Sequence, residues 1–253
     1  MTNLKDKVVV LTGASRGIGA ATARSLAKDE PILILCARTK AANKKTITDV
    51  EKIGAKSENH GFDVSDPSQV NKFVDDIIER YGRIDVLINN AGTGKMGSVK
   101  DITPEEFLKV QKTNVMGPYN MIYASLPSML TNDSGIIINL TSARAFIPDK
   151  FYAAYCSSKA ALLSMTQCLH FDLKKTNVKI FAFSPGFTDT DMVREIYSND
   201  EFRQAALTDS NGQSPERPAK VISWLAREAP ENLRGQHVQI QFNDISLRSG
   251  LEN

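Results

Sequence analysis

The sequence predicts one doubly wound α/β domain, a central parallel sheet of about seven strands with helices on both faces. Three observations predict it. Short apolar runs alternate with helical stretches from one end of the chain to the other. The runs are continuously apolar rather than alternating with polar residues, the pattern of parallel strands covered on both sides. A glycine-rich turn lies between the first run and the first helix, the place where such domains hold a dinucleotide.

The elements follow in order. Val8–Leu11 is a β-branched run ending in Thr12-Gly13, and Ala20–Lys28 is an alanine-rich helix. Pro31 sets off a second strand at Ile32–Cys36, Thr39–Ile53 is helical, and Gly54 stops it. Ser57–Asp63 is a weak third strand. Asp66-Pro67-Ser68-Gln69 opens a helix to about Tyr81 with an N-cap Asp, Pro in the first turn and Gln three residues past the cap. Thr103-Pro104-Glu105-Glu106 repeats that logic and opens a helix continuing in some form to Leu130. Val86–Asn89 and Ile136–Leu140 are further strands. A long helix at Tyr152–Lys174, a strand at Lys179–Phe183, a helix at Pro218–Arg227 and a strand at Val238–Gln241 complete the series. Nothing marks a second domain within residues 1–253, and the scattered apolar residues of 191–213 suggest a helical substrate lid.

Composition narrows the function. The chain has 253 residues, 42% hydrophobic and 24% charged, enough to build a core without disulfide or metal staples. Its net charge of +2 and the lack of a basic run argue against a nucleic-acid partner. Cys36, Cys156 and Cys168 form no C-x-x-C pair, and the three histidines lie far apart, so neither a disulfide framework nor a metal site is expected. Met1–Lys7 is polar, unlike a signal peptide, and no apolar stretch is long enough to cross a bilayer. A reduced, cytoplasmic setting without membrane contact is the expectation.

The turn reads Thr12-Gly13-Ala14-Ser15-Arg16-Gly17-Ile18-Gly19, spaced T-G-x-x-x-G-x-G. Glycines permit a tight turn and close approach of a pyrophosphate, and the following helix directs its free N–H groups at the anion. A glycine-rich turn that merely joins strand to helix is the alternative. NAD binders place a carboxylate at the end of the second strand. Here that strand ends Leu35-Cys36-Ala37-Arg38, with no carboxylate. Arg38 and Arg16 together suit a 2′-phosphate, so NADP(H) is the expected cofactor; the competing reading is two surface charges.

Tyr155-Cys156-Ser157-Ser158-Lys159 gives Y-x-x-x-K, and a spacing of four puts phenol and ammonium on one helical face. A free tyrosine titrates at about 10, and a neighbouring ammonium favours its ionised form. Such a tyrosine can give a proton to a carbonyl oxygen or take one from an alcohol. Ser142, thirteen residues earlier at the end of the fifth predicted strand, can polarise the same oxygen. Thr141 is expected to point to the other side.

With these residues in hand, the sequence resembles the short-chain dehydrogenase/reductase family over nearly its whole length, in particular 3-oxoacyl-carrier-protein reductases and related carbonyl reductases. The resemblance implies a Rossmann-type domain in which Thr12, Gly13, Gly17 and Gly19, with Ser15, Arg16, Ile18 and Arg38, hold the cofactor. It implies an adenine contact at Asp63-Val64, a fourth-strand motif at Asn90-Ala91-Gly92 after Asn89, and a nicotinamide contact at Pro185, Gly186, Thr188 and Thr190. It implies a catalytic tetrad of Asn114, Ser142, Tyr155 and Lys159. Tyr155 would be the acid/base, Ser142 the oxygen-polarising group, Lys159 a ligand of the nicotinamide ribose, and Asn114 the holder of a water linking Lys159 to solvent. For Asn114, a helix-kink residue is the competing reading.

Three segments depart from the family pattern. Ser184 replaces the usual Asn before Pro-Gly, Ala143–Ile147 replaces a small glycine-containing segment, and Gln241–Ser246 lacks Asp-Gly-Gly. The expected substrate pocket comprises Thr93, Met96, Ser142, Arg144, Phe146, Ile147, Phe151, Phe187 and Met192, mostly apolar. Arg144 is either an anchor for an acidic substrate or a solvated charge. The implied function is NADPH-dependent ketone reduction. A non-catalytic NADP(H)-binding regulator, an alcohol-oxidising dehydrogenase and a sugar-nucleotide epimerase are the rivals. Similar proteins are tetramers or dimers built on the helices of Asn114 and Tyr155, so a homo-oligomer is expected.

Overall fold

The computed structural model describes residues 3–196, 212–241, 245 and 248–250. Seven strands form one sheet: β1 Val8–Thr12, β2 Ile32–Ala37, β3 Lys56–Gly61, β4 Val86–Asn89, β5 Gly135–Leu140, β6 Val178–Ser184 and β7 His237–Gln239. Their spatial order is β3-β2-β1-β4-β5-β6-β7, and every pairing is parallel. The order reverses between β1 and β4. That switch point is where a doubly wound sheet opens a crevice at its carboxyl edge.

Pleating divides the strand side chains between two cores. Val9, Leu11, Leu33 and Leu35 face a cluster completed by Leu26 and by Val221, Ile222 and Leu225. These come from helices α1 Gly17–Ala27 and α8 Glu216–Glu228. Val8, Val10, Ile34 and Leu87 face the opposite cluster with Phe73, Ile77, Met121 and Ile122. Those belong to α3 Pro67–Tyr81 and α5 Gly117–Thr131. The other α-helices among the described residues are α2 Lys44–Ile53, α4 Pro104–Gln111, α6 Ala153–Asp172 and α7 Asp191–Ile196.

The two expected caps form. Asp66 accepts from the N–H groups of Ser68 and Gln69. Thr103 and Glu106 make a reciprocal capping box at the start of α4. Several boundaries differ from those expected. α1 starts inside the glycine turn, at Gly17, where the Ala20 N–H reaches back to the Arg16 carbonyl. A 3₁₀ turn at Lys40–Asn43 replaces the first part of the expected Thr39–Ile53 helix. The expected 103–130 helix is broken by a π-helical turn at Lys112–Met116. β3 is polar because it is the sheet edge: Glu58 there takes Arg80, Tyr81 and His60 as partners. Burial pushes the Glu58 carboxyl up, but those three hydrogen bonds outweigh it and hold the group at about 2. Of the expected lid, Asp191–Ile196 is helical and Gln213 bridges to Thr188; residues 197–211 lie outside the described part.

Candidate active site

The cofactor turn is fixed from three directions. Thr12 Oγ1 accepts the N–H groups of Asn90 and Ala91 and donates to the Ile88 carbonyl. Asn90 Nδ2 returns two bonds, at 2.9 Å each, to the carbonyls of Thr12 and Gly13. Thr46 of α2 donates to the Ala14 carbonyl at 3.0 Å. Two glycines are sterically required. Gly13 has φ +67°, and a Cβ there would stand 2.8 Å from the Ala91 Cα. At Gly19 a Cβ would lie 2.1 Å from the Gly13 carbonyl oxygen. The backbone is thus bare where a pyrophosphate must approach, and Gly17, Ile18 and Gly19 at the start of α1, the end of a helix that suits an anion, line the opening. These features fit a dinucleotide.

The turn borders a cleft of about 1210 Å³ along the carboxyl edge of the sheet. Gly13, Ser15, Arg16, Gly17, Ile18, Gly19 and Arg38 line one end. Asp63 and Val64 line it after β3, Asn90, Ala91 and Gly92 after β4, and Pro185, Gly186, Thr188 and Thr190 after β6. Thr12 does not line it; its hydroxyl serves the β1–β4 junction instead. Arg16 pairs with Glu195 of α7 at 2.6 Å and stands 3.9 Å from Asp191. Hydrogen bonding to Arg16, then its charge, holds the Glu195 carboxyl below its usual range, with a contribution from Arg38.

Ser142, Tyr155 and Lys159 open on the same cleft. Ser142 ends β5, and its Oγ accepts the Arg144 N–H at 3.2 Å. Lys159 is 6% exposed; its Nζ donates to the Leu140 carbonyl at 2.7 Å and lies 5.7 Å from the centre of the Tyr155 ring. Burial lowers its pKa from 10.5 to about 8. Asn114 is fully buried in the π turn and has no surface in the cleft. Its amide grips the Thr93 backbone, accepting the N–H and donating to the carbonyl at 2.8 Å each, and it also donates to Ser158 Oγ at 2.9 Å. Ser158 in turn donates to the Tyr155 carbonyl. The kink and the site contact are therefore one feature. A Cβ on Gly92 would meet Asn114 Oδ1 at 3.5 Å and Lys159 Nζ at 3.8 Å, so the three residues close one corner of the cleft.

Of the expected substrate residues, Thr93, Met96, Ser142, Arg144, Ile147, Phe187 and Met192 line the cleft. Phe146 and Phe151 do not. Phe146 stands edge-on to His237 at 5.0 Å, and Phe151 adopts φ +69°, which carries its ring beneath Lys150. Thr141 borders the cleft beside Ser142, but it is 2% exposed and its hydroxyl is buried away from the opening.

Sequence reasoning missed two groups. Glu105, Leu108, Lys109 and Lys112 line the cleft at i, i+3, i+4 and i+7, one face of a helix whose phase the Thr103 cap already sets. Gln111 donates at 3.0 Å to both the Ala154 carbonyl and Ser157 Oγ, tying α4 to the turn of α6 that carries Tyr155.

A parallel sheet with its cofactor cradle at the switch point, and a phenol, a hydroxyl and a buried amine along the same crevice, belongs to the dinucleotide-dependent oxidoreductases. Comparison with known proteins makes the assignment specific. The family model for short chain dehydrogenases matches residues 7–201. A 7α-hydroxysteroid dehydrogenase of Clostridium sardiniense is 32% identical, covering 82% of this chain and 80% of the relative. The 3-oxoacyl-[acyl-carrier-protein] reductase of Thermotoga maritima is 29% identical over 94% of this chain and 97% of its own. Among solved structures, a metagenomic short-chain oxidoreductase in complex with NADP superimposes with a TM-score of 0.79 at 28% identity, covering 94% of this chain and 98% of that one. The chain belongs to the short-chain dehydrogenase family and is an oxidoreductase acting on carbonyl and alcohol groups through a nicotinamide cofactor.

Proposed function

We propose that this chain is an NADPH-dependent ketone reductase with Tyr155 as its acid. The observation that carries the reading is one cleft with two chemically distinct ends: Arg16 and Arg38 beside the glycine turn, and Ser142, Tyr155 and Lys159 at the other. Bound nicotinamide supplies a hydride to the carbonyl carbon. Ser142 donates a hydrogen bond to the carbonyl oxygen, favouring the charge that grows there. Tyr155 delivers its proton to that oxygen and completes the alcohol. Lys159 stabilises the phenolate left behind and binds the nicotinamide ribose. Asn114 acts one step back, holding Thr93 on the cleft wall and Ser158 beneath Tyr155. Alcohol oxidation is the reverse of each step. The direction is favoured by the cofactor, because two guanidinium groups and no second-strand carboxylate suit a 2′-phosphate.

The test is a screen of ketones, 3-oxoacyl thioesters and quinones followed by NADPH absorbance, with NADH in parallel. Replacing Arg38 by Ala is expected to raise the KM for NADPH about tenfold, the loss of a charge-assisted pair with phosphate, and to leave that for NADH unchanged, with a smaller effect at Arg16, which already pairs with Glu195. Equal turnover with both cofactors in the wild type would refute the assignment.

The buried amine gives a pH dependence. In the free enzyme the Lys159 ammonium is lost as pH rises through about 8, so kcat/KM for reduction is expected to fall on the alkaline side with a midpoint there. Folding follows with a defined sign. The folded value is depressed below 10.5, so the buried charge is penalised in full below about pH 8 and the penalty fades between about 8 and 10.5. A rate profile flat to pH 10 would remove Lys159 from the proton path.

We also propose a homo-oligomer built on α5. Met116, Tyr119, Tyr123 and Leu130 are exposed along one side of that segment, and Phe171 of α6 is 70% exposed. Light scattering is expected to give a mass at least twice that of the chain, and Tyr123→Glu to lower it.

A further inference from the structure

The wall beside Ser142 is one of the three segments expected to depart from the family pattern, and it carries a charge whose partner lies within the same wall. Arg144 reaches back along its own loop. Its Nη1 pairs with Asp149 at 2.8 Å and donates to the Ile147 carbonyl at 3.4 Å. Its guanidinium lies over the Tyr152 ring, 4.7 Å from the centre. The side chain is 28% exposed and borders the cleft, so the pair sits partly shielded from water at the place where a substrate flanks the catalytic hydroxyl. A charge met at this distance offers little to an incoming anion, which would have to lose its own hydration and compete with Asp149.

The neighbouring surface is built the same way. Met96, Leu108, Ile147, Phe187 and Met192 present apolar groups to the cleft. Of the cations on the α4 side of the cleft, Lys95 is paired with Glu106 at 2.9 Å, while Lys109 and Lys112 line the wall beyond Leu108.

We propose that Asp149 determines the substrate class of this site. By holding the Arg144 charge inside the wall, it reserves the cleft for ketones that are uncharged and apolar around the reacting carbonyl, and it disfavours oxo acids. Arg144 is then a positioning residue. It bridges the ends of the 144–152 loop, and its own N–H is the donor to Ser142 Oγ. The assignment rests on the reductase reading.

A matched pair of substrates tests it: a medium-chain oxo ester and the carboxylate of the same skeleton, with NADPH. For the wild type, kcat/KM for the ester is expected to exceed that for the carboxylate about tenfold or more, the effect of burying an unpaired carboxylate. Asp149→Asn keeps the side-chain volume and uncovers Arg144. It is expected to lower the KM for the carboxylate at least about fivefold, with less than about twofold change for the ester. A wild-type preference for the carboxylate that Arg144→Met removes would overturn the proposal and make Arg144 an anion anchor. An unchanged ester-to-carboxylate ratio in Asp149→Asn would remove Asp149 as the determinant. Turnover of neither compound, nor of any ketone, with NADPH or NADH would overturn the reductase reading itself, and the substrate assignment with it.

Discussion

Tyr155→Phe is expected to lower kcat for ketone reduction by about 10²–10⁴-fold, the range in which a positioned proton donor acts. NADPH affinity, followed by nucleotide fluorescence, is expected to stay within about twofold of the wild type, since charge-assisted phosphate contacts dominate it and the ring is kept. The ring survives in this variant, so the contacts of Tyr155 with Met96, Tyr152 and Cys156 are retained and a folding defect is not the cause of the loss. Normal turnover by the phenylalanine variant would show that a different group protonates the substrate. Loss of NADPH binding as well would show that the phenol holds the cofactor rather than reacting with its partner.

Gly19→Ala is expected to be the most damaging single methyl in the chain. A Cβ there would stand 2.1 Å from the Gly13 carbonyl oxygen and 2.6 Å from Asn90 Nδ2, and the first of these is backbone that cannot swing aside. The turn must open. Overpacking of this kind costs about 2–3 kcal/mol, which for a chain of this size lowers Tm by roughly 5–10 °C. Because the displaced atoms form the cradle, NADPH binding is expected to fall at least about a hundredfold, the penalty of losing two or more oriented N–H donors to phosphate. Calorimetry with and without cofactor separates the two effects. A variant with wild-type Tm and wild-type binding would mean that the turn is looser than its geometry implies.

Much of this design was legible in the chain. The parallel sheet could be anticipated because each apolar run was followed by a helix, and the caps at Asp66 and Thr103 set two helix starts correctly. The parts that escaped depend on contacts distant in sequence or on backbone angles that no residue type announces. The break at Lys112–Met116 is held by Asn114 bonding to Thr93 and Ser158, 21 and 44 residues away. Phe151 was expected in the pocket because apolar residues line pockets, yet its left-handed backbone, rare for an aromatic, turns it aside. The pairing of Arg144 with Asp149 hides in a loop of ordinary composition. The reading of Arg16 as a phosphate ligand had no way to anticipate Glu195, which arrives from a helix 179 residues later.

The junction of Thr12 and Asn90 has a mechanical consequence. β2 and β3 hang from β1 on one side, while β5, β6 and β7 hang from β4 on the other. The side chains of Thr12 and Asn90 are stitches at the top of the seam between these half-sheets, reinforcing the main-chain ladder where it ends. A dinucleotide lying over those stitches would span both halves and brace the molecule across that seam, so catalytic readiness and resistance to unravelling rise together when the cradle fills.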